Sequence, residues 1–197
     1  MMISEENISY AFKIVLIGAP GVGKTCLFNR YCFNSFNMNT KMTLGISFHS
    51  TYLRIRFPKD QRRIEQYAVN SIFDFGGQER FRPMLPKFLE GASGALLVFD
   101  LVNFSSFQQL DYWYEMLIKH TGNVDIPILL IGSKSDLIDK IPQNEIVNDE
   151  VIMEFIKANE LDGYYRTSAL ENYNILEVFK ILTNLMLRTH NSKAIVI

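Results

Sequence analysis

Disulfide chemistry has almost nothing to work with in this chain. Its only 2 cysteines, Cys26 and Cys32, fall in one stretch of helical periodicity. At that spacing they point to different faces and are not easily bridged. Reduced thiols and a cytoplasmic setting are expected. Charge of one sign is missing too. Lys and Arg number 20 against 21 Asp and Glu, a formal net charge of −1. No global field invites nucleic acid or anionic lipid, so any phosphate chemistry has to come from a local site. Long apolar runs are absent. Residues 95–99 and 126–131 are the longest, far short of the roughly 18 residues of a membrane helix. The opening Met1-Met2-Ile3-Ser4-Glu5-Glu6 has neither the basic segment nor the apolar run of a secretory signal, and Met2 stands where myristoylation needs Gly. Residues 191–197 hold no cysteine to prenylate and no basic cluster, so no lipid anchor is evident. Repeats and low-complexity tracts are lacking as well.

What is present is an ordinary globular composition, 48% apolar with 15 Phe and 9 Tyr, enough for a sizeable core. One domain over residues 11–190 is expected, with an N-terminal extension (1–10) and a short C-terminal tail (191–197). Residues 11–17, 94–100 and 126–132 read as strands buried on both faces. Residues 46–57 and 64–75 read as an antiparallel hairpin, and 164–166 as a short strand. Helical patterns cover 24–33, 104–121, 148–160 and 170–188, with loops at 34–42 and 76–86. Strands alternating with helices imply an α/β fold of three layers: a mostly parallel six-stranded sheet with one antiparallel edge strand and helices on both faces. Ligands in such sheets sit beyond the carboxyl ends of the strands. That rule singles out the segments after Ile17, Asp74, Asp100, Gly132 and Arg166. Four of the five carry polar motifs.

The first is Gly18-Ala19-Pro20-Gly21-Val22-Gly23-Lys24-Thr25, which matches G-x-x-x-x-G-K-[ST] between a strand and a helix. Its glycines let successive N–H groups curl toward phosphate oxygens, and the helix N-terminus adds positive dipole. Lys24 reaches the outer phosphates and the Thr25 hydroxyl suits Mg²⁺. Pro20 has no N–H and leaves the cradle to its neighbours. The second motif is Asp74-Phe75-Gly76-Gly77-Gln78-Glu79. Such an acid can hold Mg²⁺ through water, such a glycine N–H can meet a γ-phosphate, and such a Gln can orient a water. The third and fourth are Ser133-Lys134-Ser135-Asp136 and Thr167-Ser168-Ala169. A carboxylate there can accept from guanine's N1–H and exocyclic amine, a pattern that adenine lacks.

In order and spacing these motifs resemble the Ras superfamily of small GTPases, most closely its Rab-like branch, over about residues 11–188. Asp74–Phe81 followed by Arg82 is similar to the Rab stretch D-T-A-G-Q-E-R-F-R. Thr43-Leu44-Gly45-Ile46-Ser47-Phe48 is similar to T-I-G-V-D-F, and Gly91-Ala92-Ser93-Gly94 to G-A-x-G. The resemblance implies a P-loop GTPase domain that binds GTP or GDP with Mg²⁺ and hydrolyses GTP slowly. By it, Gly21, Val22, Gly23, Lys24, Thr25 and Cys26 line the phosphates. Thr25 and Thr43 ligate Mg²⁺, with Asp74 behind them through water. Lys24, Thr43, Gly77 and Gln78 serve hydrolysis, Gln78 by orienting the attacking water. Phe36 lies edge-on to guanine, while Ser133, Lys134, Asp136, Ser168 and Ala169 surround the base. Phe48, Phe73 and Phe88 occupy three aromatic positions of an effector surface. A monomer served by an exchange factor, an activating protein and effectors is implied, with no nucleic acid.

Two residues depart from the family pattern. Ser133 replaces Asn, and the lost amide bonds predict guanine binding weaker by about 1–3 kcal/mol. Pro20 lies where a side chain nears the γ-phosphate, and slow intrinsic hydrolysis is expected to survive it. Two rivals remain open in the sequence: a scaffold that holds nucleotide with little hydrolysis, and an ATP-using P-loop enzyme such as a small kinase.

Overall fold

The computed structural model describes residues 5–38, 43, 45–58, 65–77, 79–122 and 125–197. Seven strands form one sheet: β1 (Ile8–Ile17), β2 (Ile46–Arg56), β3 (Gln66–Phe75), β4 (Gly94–Asp100), β5 (Ile128–Ser133), β6 (Gly163–Arg166) and β7 (Ile195–Val196). Their spatial order is β6-β5-β4-β1-β3-β2-β7. β1 runs parallel to β3 and β4, and β5 runs parallel to β4 and β6. β2 is antiparallel to β3, and β7 to β2.

Six strands were expected and seven are found among the described residues. The seventh lies in the segment read as a tail. With only 2 residues, Ile195–Val196, it is too short for alternation to reveal. The one helix expected over 104–121 is two, Phe104–Gln108 and Leu110–His120, meeting at Gln109, and the sequence reading is otherwise displaced at boundaries. β1 starts at Ile8, and the loop expected at 76–86 holds a 3₁₀ turn, Glu79–Met84, leading into helix α2 (Leu85–Leu89). The helix expected at 170–188 begins only at Ile175, because Asn172 and Asn174 take left-handed backbone, each at φ 57°.

The remaining helices are α1 (Lys24–Phe33), α3 (Phe104–Gln108), α4 (Leu110–His120), α5 (Asp149–Ala158) and α6 (Ile175–Thr189). They cover both faces, because the central strands β4 and β5 are buried at every position. Alternate residues of one strand therefore feed two cores. Ile14 and Leu16 of β1, Leu96 and Val98 of β4, and Leu129 and Ile131 of β5 pack with Val178, Phe179 and Leu182 of α6. Val15 and Ile17, Leu97 and Phe99, and Ile128 and Leu130 pack on the other face with Leu110, Trp113 and Leu117 of α4. Trp113 is a core residue, as its helical neighbours predict. Burial pushes the Cys32 thiol up to about 12, which keeps it in the unreactive protonated form. β1 lies between β3 and β4, so successive strands leave it in opposite directions. The crevice of this switch point opens beyond the carboxyl end of β1.

Candidate functional site

A cleft of about 500 Å³ lies at that crevice. Its floor is the turn from β1 into α1. Gly21 and Gly23 adopt φ of 76° and 97° there, values that side chains with a Cβ resist. Gly23 occupies the cap position of α1 and supplies no side-chain bond to the first helical N–H groups. Those groups and the positive end of the helix are left for an anion. Lys24 is buried, and its Nζ donates to the carbonyls of Gly18 and Ala19, each at 2.7 Å. Burial lowers its pKa to about 8, and the nearby Asp74 carboxylate pulls it partly back. Underneath, the Lys24 ammonium stands 6.0 Å from the ring centroid of Trp113, a cation–π contact from α4.

The second wall comes from the carboxyl end of β3. Gly77 presses directly on the phosphate-loop backbone. A Cβ at this position would lie 2.7 Å from Pro20 N, 2.8 Å from Gly18 O and 2.9 Å from Ala19 C. Asp74, two residues before Gly76 on the strand, is fully buried and accepts from Thr25 Oγ1 at 2.6 Å. The Thr25 hydroxyl is also 2.5 Å from that of Thr43. Three hard oxygen donors thus meet at one point. Asp74 Oδ1 has no hydrogen-bond partner among the described residues, and burial pushes the Asp74 carboxyl above its ordinary range. A buried carboxylate oxygen without a partner, beside two hydroxyls, is the donor chemistry that suits Mg²⁺.

The far end of the cleft is built by the segments after β5 and β6. Lys134 takes a left-handed backbone, φ 60°, and its Nζ pairs with Asp100 Oδ2 at 2.6 Å. Asp136 Oδ1 accepts from Ser168 Oγ at 2.5 Å. Ser135 N–H donates to the Thr167 carbonyl at 3.1 Å, which ties the two segments together. Ser133 Oγ lies within hydrogen-bonding distance of the Val22 carbonyl, 2.5 Å, and the Phe99 carbonyl, 2.8 Å. The serine therefore keeps the link to the phosphate loop.

Of the site residues read from the sequence, Gly21, Gly23, Lys24, Thr25, Cys26, Phe36, Thr43, Gly77, Ser133, Lys134, Asp136 and Ala169 line this one cleft. Three stand just behind it. Val22 is buried in the core, Asp74 reaches the cleft through Thr25, and Ser168 reaches it through Asp136. Gln78 lies outside the described residues. On the adjoining surface Phe48 stacks on Phe73 with centroids 5.8 Å apart, and Phe73, Phe75 and Phe88 continue the row. Phe48 is 68% exposed. Two partners escaped sequence reasoning. Asp100 ends the one strand with no motif after it, and an acid closing an otherwise apolar run was the only signal. Arg30 gave none, being a cation on a helix like many others.

A seven-stranded α/β sheet with a glycine-rich phosphate loop at its switch point, a lysine under it and a guanine-compatible aspartate beyond it defines a small GTPase. Comparison with known proteins agrees. The family model "Ras family" matches residues 13–188. GTP-binding protein ypt3 of Schizosaccharomyces pombe is 32% identical over 98% of this chain and 84% of its own length. Ras-related protein RGP1 of Oryza sativa subsp. japonica is 36% identical over 97% and 78%. Ras-related protein Rab11B of Nicotiana tabacum is 34% identical over 92% and 78%. The chain belongs to the Ras family and is a Rab-like small GTPase.

Proposed function

We propose that the cleft binds GTP and GDP with Mg²⁺ and hydrolyses GTP slowly, the bound state being read through residues 37–48 and 76–88. The meeting of Thr25, Thr43 and the unpartnered Asp74 carboxylate oxygen carries this reading. Thr25 and Thr43 would hold the metal, with Asp74 supporting it through water. Bound there, the ion would supply charge neutralisation for the phosphates. Lys24 holds the same phosphates, and the N–H groups at the start of α1 face them. Gly77 brings its segment close to the phosphate loop, so that a γ-phosphate contact draws the segment inward. Gln78 orients the water that attacks the γ-phosphorus. Asp136 reads the base through its carboxylate and the Ala169 N–H meets the guanine oxygen. Little covalent chemistry is asked of the protein, because positioning and charge carry phosphoryl transfer.

The chain works as a cytoplasmic monomer with an exchange factor, an activating protein and effectors that meet the Phe48–Phe73–Phe88 surface. No helix among the described residues is long and apolar enough to cross a membrane. Mass analysis of the nucleotide that co-purifies with the full chain tests the reading. GDP or GTP is expected, released faster when EDTA removes Mg²⁺. An adenine nucleotide, or release indifferent to EDTA, would overturn it. Single-turnover phosphate release that disappears in Gln78→Leu is the matching test of hydrolysis.

A further inference from the structure

Arg30 sits in the last turn of α1, away from the phosphates, yet its guanidinium is spread over three parts of the base end of the cleft. Nε donates to the Ala169 carbonyl at 2.8 Å and Nη2 to the Leu170 carbonyl at 3.4 Å. From the other edge Nη1 donates to Asn34 O at 3.2 Å and Asn34 Oδ1 at 3.3 Å. The Arg30 Cζ also lies 6.0 Å from the ring centroid of Phe36. One planar cation thus joins the segment after β6, the left-handed residue that ends α1, and the aromatic ring of the loop beyond. Only a guanidinium has donors on two edges and a face for stacking. The carbonyls it holds belong to residues that line the cleft, Ala169 and Leu170, and so does the ring it meets.

We propose that Arg30 is a positioning residue for the base: it fixes the Ala169 N–H and the Phe36 ring on the guanine and so sets residence time and base selectivity without touching the nucleotide. The inference rests on the guanine reading above. Among the described residues none assigned to the phosphates or the metal is bonded to Arg30, so hydrolysis of bound GTP is left alone. A lysine keeps the charge but reaches one carbonyl at a time, so Arg30→Lys is not a conservative change.

The test compares wild type, Arg30→Lys and Arg30→Gln as full chains. Fluorescent GDP should leave both variants about tenfold faster, while single-turnover hydrolysis of preloaded GTP stays within about twofold of wild type. Two analogues then separate positioning from general loosening. 6-Thioguanosine diphosphate keeps guanine's N1–H and amine but puts a weakly accepting sulfur in place of the oxygen that Ala169 meets, whereas inosine diphosphate lacks the amine that Asp136 reads. The penalty for replacing the oxygen should shrink in the variants, and the penalty for removing the amine should change less. Wild-type release rates in both variants would overturn the proposal. So would faster release with both penalties unchanged, or with hydrolysis falling in parallel, since either is the mark of a merely structural residue. A wild type that prefers ADP to GDP would instead overturn the guanine reading itself.

Discussion

At Gly77 the deciding quantity is a few tenths of an ångström. The three atoms nearest to a methyl group there are all main chain, which cannot step aside as the end of a flexible side chain can. Gly77→Ala is therefore expected to lift residues 76–77 off the phosphate loop. Single-turnover hydrolysis should fall at least about tenfold, equivalent to about 1.4 kcal/mol in the barrier. GDP binding, which the proposed function rests on Lys24 and the base end, should stay within a few-fold. Stopped-flow phosphate release and GDP titration check the two halves. Gly77 was legible in the sequence because a glycine beside an acid at a strand end is a local signal. The ion pair of Lys134 with Asp100 was not, since its members are 34 residues apart. The bond from Arg30 to Ala169 spans 139. Contacts of that reach are set by topology, which no local pattern encodes.

Among the elements, α1 makes the most of few residues. It is only 10 residues long and both of its caps are left-handed, Gly23 at φ 97° and Asn34 at φ 49°. The Asn34 N–H donates back to the Arg30 carbonyl at 3.0 Å and closes the helix. A β-branched residue resists this backbone, so Asn34→Val should cost about 1–2 kcal/mol, whereas Asn34→Gly should be nearly neutral because glycine is at home in that region. Urea midpoints of the two variants decide it. The helix itself was legible from its periodicity and from the glycine–lysine start. Its end at Phe33 was legible too, falling where the polar stretch 34–42 begins. The late start of α6 was not, because an asparagine in left-handed backbone, as at 172 and 174, looks in sequence like any other asparagine.

For the molecule as a whole, two cores meet at one sheet, and the cleft lies where β1 is flanked by strands that leave it in opposite directions. This architecture was legible from the wholly apolar runs of β4 and β5, which only a sheet covered on both faces explains. The seventh strand was not. β7 pairs Ile195 with Arg56 and Val196 with Ile55. The Val196 N–H donates to Asn184 Oδ1 of α6 at 2.9 Å, and the Ile197 N–H to the Arg54 carbonyl at 3.0 Å. Deleting residues 195–197 should cost about 1–2 kcal/mol for the lost bonds and speed amide exchange at residues 53–57. GDP release should not change. Hydrogen exchange by mass spectrometry, with and without nucleotide, reads both.

The position of β7 also fixes the polarity of the particle. β2 enters the sheet at Ile46 opposite Phe75, beside the cleft, and its paired end at Ile55–Arg56 lies ten residues away along the strand. Ile197 is thus moored at the pole opposite the cleft. A fluorophore or surface tether attached there would leave the mouth of the cleft facing outward, open to whatever loads or empties it.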